Sequence, residues 1–164
     1  MFADRIAIEP AVLRDVSYIT ANMRPMDRAE AYCQLPEDTT NYELAYMLTM
    51  GGDAFTARFD GKPVAAFGTA PINVACVSVW MVGTKDAWRV TPSITAYMRD
   101  VHTPTLEANG FLTMEARALL EHEQAHRWME ASGAVRSGEP FVFGRNGERF
   151  VLFRWTVPRY RARR

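Results

Sequence analysis

The chain has little with which to cross-link itself, enter a membrane or coat a polyanion. Of its 164 residues only Cys33 and Cys76 are cysteines, far apart and without a CxxC pair. That spacing excludes a disulfide framework and a zinc knuckle, and both thiols read as small buried hydrophobes. No apolar run approaches the ~20 residues a membrane span needs, and the opening Met1-Phe2-Ala3-Asp4-Arg5 lacks the charged-then-apolar layout of a signal peptide. The expectation is a cytoplasmic protein. Its 19 basic and 19 acidic residues cancel, so no global field draws it to nucleic acid. Lysine is scarce, with Lys62 and Lys85 standing alone among arginines. Repeats and low-complexity linkers are absent as well, which leaves one domain, large enough to bury a core without staples.

Charge is concentrated only at the end. Arg159, Arg161, Arg163 and Arg164 follow Pro158, so the chain reads as a domain over 1–158 and an arginine-rich tail over 159–164. Such a tail is a solvated end, or an arm for an acidic partner or nucleic acid.

Periodicity supplies the elements. Arg5–Pro10 alternates as an edge strand that stops at proline. Val12, Val16, Ile19 and Met23 share one helical face. In Arg24-x-x-Asp27-x-x-Glu30 opposite charges lie one turn apart and can pair locally. Asn41–Met50 is a third helix, ended by Gly51-Gly52. The period then falls to two: Ala54–Phe59 and Pro63–Gly68 flank Asp60-Gly61, a strong hairpin signal. Val77–Gly83 is short, apolar and closed by glycine, which predicts a strand buried on both faces. A helix runs from Thr91-Pro92 to Asn109-Gly110 with a kink expected at Pro104. Phe111–Ala118 is a strand, Glu121–Ser132 an amphipathic helix, and Pro140–Gly144 with Arg149–Trp155 a hairpin around Asn146-Gly147. The order is that of an α/β chain with a mixed sheet.

The stretch from Val77 to Gly110 organises the rest. Strand, loop and helix N-terminus together present backbone N–H groups and a positive dipole end, the usual holder of phosphate.

This order of elements resembles the GNAT acyltransferase superfamily over nearly the whole chain. The segments Val79-Trp80-Met81-Val82, Ala87-Trp88-Arg89-Val90 and His126-Arg127-Trp128 with Gly133-Ala134-Val135 are similar to GNAT-like internal virion proteins of short-tailed bacteriophages, as is the Arg24, Asp27, Glu30 triplet. The resemblance implies a single-domain fold with a mixed, mostly antiparallel sheet of six to seven strands flanked by helices. It also implies an acetyl-CoA site built from Trp80, Met81, Val82, Lys85, Arg89, Thr91 and Ser93, with Glu115 as candidate base and an amine, small or on a protein, as acceptor. Two departures weaken that activity. The family's Q/R-x-x-G-x-G/A loop lets glycine amides close on the diphosphate, but Thr84–Thr91 contains no glycine and adds Asp86. Where many members place a proton-donating tyrosine, four residues before Gly133, this chain has Met129.

His122-Glu123-Gln124-Ala125-His126 spells H-E-x-x-H, which on a helix aligns two imidazoles for zinc and a glutamate for the attacking water. No third ligand follows on a helix, and Arg127 sets a cation beside the second histidine. Zinc hydrolysis through His122 and His126 is therefore the weaker alternative, and no metal is expected. The leading expectation is a phage-encoded structural or assembly protein with a degenerate cofactor site, which needs no cofactor, meets other phage structural or assembly proteins, and resides in the host cytoplasm or the virion. The competing one is an active N-acetyltransferase using acetyl-CoA.

Overall fold

Asp60 and Gly61, at φ 51° and 77°, close a two-residue turn between β2 (Asp53–Phe59) and β3 (Lys62–Pro71). Positive φ at both central positions is what a type I′ hairpin needs, and Asp-Gly accepts it at low cost. In the computed structural model, which describes residues 5–157, this hairpin belongs to a seven-stranded sheet of order β1-β2-β3-β4-β5-β7-β6. Its other strands are β1 (Ile6–Pro10), β4 (Cys76–Gly83), β5 (Thr113–Leu119), β6 (Val135–Val142) and β7 (Arg149–Thr156). Only β4 and β5 run parallel; every other neighbouring pair is antiparallel. The expected mixed, mostly antiparallel sheet of an α/β unit is thus present. The tail expected over 159–164 lies outside the described residues.

Helices cover both faces. On one side α1 (Leu13–Ala21) and α3 (Asn41–Met50) pack Val16, Ile19, Leu44 and Ala45 against Ala66 and Val82. A reciprocal capping box between Thr40 and Glu43 starts α3. Beside them, α2 (Pro25–Tyr32) ends at Cys33, buried with Leu119 and Phe150. On the other side α4 (Thr91–Tyr97) sets Ile94 on Ala65 and Phe67. There α5 (Thr103–Ala108) and α6 (Glu123–Ala131) add Leu106 and Met129 to Met114, Val151 and Phe153.

Three sequence expectations shift. Between α4 and α5, just ahead of Pro104, the helix widens into a π turn over Met98–His102, where the Thr103 N–H reaches the Met98 carbonyl five residues back. Pro104 has no N–H for the carbonyl four residues earlier, and widening the turn just before it relieves the clash. Strand β6 starts at Val135, five residues before the expected Pro140, because its register slips between Ser137 and Phe141 and breaks the period of two. Finally, β4 is not buried on both faces: Ser78–Met81 are half-buried while the residues at both ends are covered. Those four residues face a cleft.

Candidate ligand cleft between β4 and β5

The parallel ladder between β4 and β5 joins only Cys76–Ser78 to Thr113–Glu115. Past Ser78 the strands diverge, and the wedge between them holds a cleft of about 400 Å³. Ser78–Val82, Ala116 and Arg117 line it from the strands, Arg24, Asp27 and Glu30 from α2, and Ala125, Trp128 and Met129 from α6.

Helix α2 takes the place that a strand would occupy at the open end. The Arg24 N–H donates to the Gly83 carbonyl at 2.9 Å, and the Gly83 N–H donates to Asp27 Oδ2 at 2.8 Å. One turn on, Glu30 Oε2 accepts from the Leu119 N–H at 2.8 Å and meets His122 Nδ1 at 2.8 Å. Two carboxylates on one helical face therefore cap the two diverging strands, one each. The local charge pairing expected for this triplet is only part of its role. Arg24 does bind Asp27, at 2.7 Å, but the Asp27 side chain is 2% exposed, so the pair is buried rather than a surface ornament. Because both polar groups of Gly83 point away from β3, alternation turns those of Val79 and Met81 to the same edge, which has no strand partner.

Most amides of the loop after β4 already have partners within the protein. Beyond the Gly83–Asp27 bond, the Thr84 N–H donates to the Val64 carbonyl, that of Ala87 to Thr84, that of Arg89 to Asp86 and that of Val90 to Ala87, all between 2.9 and 3.1 Å. The Asp86 N–H donates to Thr84 Oγ1 at 3.3 Å. A Cβ on Gly83 would lie 2.4 Å from that of Ala87, so the turn has closed into the space its one glycine opens. An entering diphosphate would have to break these bonds and approach the carboxylates of Asp27 and Asp86. The residues present do not fit that group.

Of the residues assigned to the cofactor by resemblance, Trp80, Met81, Val82 and Thr91 meet at the cleft. Lys85 is exposed, and Ser93 is half-buried on α4 outside the cleft lining. The Arg89 guanidinium lies over Phe59 and Trp88, 5.0 and 4.5 Å from their ring centroids. Glu115 is buried rather than facing solvent, and does not line the cleft. Arg154 Nη2 holds one of its oxygens at 2.8 Å and Arg117 Nη2 the other at 3.3 Å. Met129 does line the cleft, where a thioether offers no proton.

The H-E-x-x-H pattern does not place its histidines together. His122 precedes α6 with φ −82° and ψ 63°, and its ring is held by Glu30. His126 Nε2 lies 2.8 Å from the Leu119 carbonyl and its ring packs on Phe153. The helical spacing needed for a shared ion is lost because the helix begins one residue too late. Among the described residues no group of three or more His, Cys, Asp and Glu side chains could hold a metal ion. What sequence reasoning missed is the cleft couple itself, His122 with Glu30, backed by Asp27 at 3.7 Å from Nε2. The two acids at i and i+3 were visible, but their partners lie 56 and 89 residues away. Also missed was the bond from the Trp128 indole to Thr95 Oγ1, 2.8 Å, which ties α6 to α4 across the wedge.

No family model matches the sequence, and no curated protein matches it. Solved structures do. Ard1 from Thermoplasma volcanium is similar with a TM-score of 0.69 at 12% identity, over 93% of this chain and 98% of that one. The ribosomal-protein-S18-alanine N-acetyltransferase from Escherichia coli gives 0.66 at 13%, over 93% and 94%. Spermidine N-acetyltransferase from Vibrio cholerae, solved with CoA and spermine, gives 0.65 at 12%, over 96% and 98%. At such identities the likeness establishes a shared fold and no more: this chain has the GNAT acetyltransferase architecture.

Proposed function

We propose that the chain is a non-catalytic GNAT-fold protein that serves as a packing platform in the assembly of a short-tailed bacteriophage, acting in the host cytoplasm or inside the particle through contacts with other phage structural proteins. One observation supports the loss of catalysis: the amides of Gly83, Thr84, Ala87, Arg89 and Val90 are bonded to the protein's own carbonyls and to the Asp27 carboxylate. The phage setting rests on the sequence similarity around Trp80, Trp88 and Trp128. Calorimetry and thermal shift with coenzyme A and acetyl-CoA test the first part. No heat and no shift at millimolar ligand is the expected result, whereas a hundredfold excess over Kd would add about 2.7 kcal/mol if the site bound. For the second part, the protein should co-purify with virion proteins, and a null mutant that still makes normal particles would remove the assembly role.

A second reading is an N-acetyltransferase acting on an amine with acetyl-CoA. The His122–Glu30 couple favours it, since an imidazole oriented by a carboxylate in a cleft can take a proton from an acceptor amine. The unpartnered edge at Val79 and Met81 favours it too, since donors aimed at a developing oxyanion need no reorganisation. Acetylation of an amine library that disappears in His122→Ala would establish this reading over the first.

A further inference from the structure

One end of the sheet is apolar where turns are ordinarily polar. The tip between β3 and β4 reads Ile72-Asn73-Val74-Ala75, and its backbone is tied down. The Asn73 side-chain oxygen accepts from the Ala75 and Cys76 N–H groups at 2.9 and 3.0 Å, and the Ile72 N–H donates to the Cys76 carbonyl at 2.9 Å. Held this way, Ile72 is 48% and Val74 91% exposed. The loop before β5 continues the patch: the Leu112 N–H donates to the Ala75 carbonyl at 2.8 Å, and Leu112 is 56% exposed. An isolated exposed aliphatic is ordinary, but here three come from two loops that are bonded together.

The patch carries no charge of its own, since the stretches 71–76 and 109–113 hold no Asp, Glu, Lys or Arg. Positive charge arrives from the chain that follows. The Val157 N–H donates to the Leu112 carbonyl at 3.0 Å, so the last described residue sits beside the patch, and Arg159, Tyr160, Arg161, Arg163 and Arg164 come next. Seven residues span at most ~25 Å, which keeps all four arginines near Leu112.

We propose that this end of the protein docks on an anionic lipid bilayer, with Ile72, Val74 and Leu112 entering the interfacial layer and the arginines of 159–164 meeting the headgroups. A bilayer surface supplies both an acyl boundary for aliphatic tips and negative charge for arginine. Nucleic acid supplies only the charge and leaves the tips in water. One weak anchor holds a protein to a membrane marginally, whereas an apolar anchor and a basic cluster together hold it stably. The protein lies on the surface rather than crossing it, since among the described residues no helix is long and apolar enough to span a membrane. The docking depends neither on coenzyme A binding in the β4–β5 cleft nor on the assembly role, and failure of either leaves it untouched.

The test is co-sedimentation of the full chain with vesicles of phosphatidylcholine alone and of three parts phosphatidylcholine to one part phosphatidylglycerol, beside a titration with a short DNA duplex. The protein should pellet with the anionic vesicles and stay in solution with the neutral ones. Val74→Ser alters a side chain that touches little else, so the fold is kept, and binding should weaken about tenfold for the loss of one aliphatic anchor. Val142→Ser is the control: Val142 is 67% exposed but pairs with Arg149 at the opposite end of the β6–β7 ladder, and this variant should bind like the parent. Replacing Arg159, Arg161, Arg163 and Arg164 by alanine should abolish pelleting, at about fivefold per arginine. No pelleting with anionic vesicles, equal pelleting with neutral ones, or a Val74→Ser protein that binds like the parent or no worse than Val142→Ser overturns the proposal. So does binding to the duplex without binding to vesicles, which would make 159–164 a nucleic-acid arm.

Discussion

The two ends of the β4–β5 junction solve one problem by different means. At Cys76–Ser78 the strands share an ordinary parallel ladder, and backbone satisfies backbone. At Gly83 and Leu119 they have parted, and two side-chain carboxylates of α2 satisfy the strand amides instead. A ladder depends little on side-chain identity, whereas a carboxylate brace rests on two residues. Helix α2 lies at the end of the wedge, and the Gly83 and Leu119 amides are bonded to it.

Breaking the brace should therefore cost far more than altering the ladder. Asp27→Ala leaves the Gly83 N–H without its acceptor and the Arg24 guanidinium beside an empty site; a loss of about 3 kcal/mol is expected in chemical denaturation. Ser78→Ala, at the paired end, should stay within about 0.5 kcal/mol. Equal losses would refute the contrast. Next in size is Glu30→Ala, which strips the Leu119 N–H and the His122 ring together and should cost about 2 kcal/mol. Since both acids hold one helix, the double variant should fall short of the sum by about 1 kcal/mol. Strict additivity would mean that α2 does not act as a single bridge.

How far the sequence revealed this depends on range. Local chemistry was readable: the Asp60-Gly61 turn and the helix start at Thr91-Pro92 appear where expected, because each is decided by residues within a few positions. The missing loop glycines were likewise visible. What could not be read was where side chains at one turn's spacing point. Asp27 and Glu30 look like a solvated charge run until the wedge brings Gly83 and Leu119 to them. The H-E-x-x-H pattern, the weaker alternative from the start, presumes a helix already begun at His122, and here His122 only precedes it. Glu115 alternates like a surface residue, yet Arg154 on the neighbouring β7 closes over it.

A buried base away from the wedge offers a contrast with the acidic brace. His102, 3% exposed in the π turn, meets Thr69 Oγ1 at 2.9 Å, the Phe55 ring, and Asp53 at 4.0 Å. Burial holds its pKa below the ordinary histidine value, against the weaker upward pull of Asp53. Above pH ~6.5 the ring is neutral in both folded and unfolded chains. Below that the unfolded chain takes a proton that the folded one refuses, so stability falls as pH drops through the folded pKa, by at most about 1.4 kcal/mol per pH unit. His102→Asn should flatten the melting temperature between pH 7 and 5 relative to the parent; an unchanged slope would place the titration elsewhere.

The smallest effect reads the brace without unfolding anything. Cys33, at the C-cap of α2, is packed with Leu119 and Phe150. Its thiol is pushed up to about 11, first by burial and then by the charges of Glu148 and Glu30. Iodoacetamide at pH 8 should therefore label native Cys33 slowly, since only the thiolate reacts. Glu30→Gln removes one of the charges that raise the thiol and loosens the bond that holds α2 to Leu119. Labelling of Cys33 should then quicken a few-fold, while Cys76, at the ladder end of the junction, keeps the parental rate. If both thiols speed up together, Glu30→Gln has loosened the whole sheet, and the division between a laddered end and a braced end does not hold.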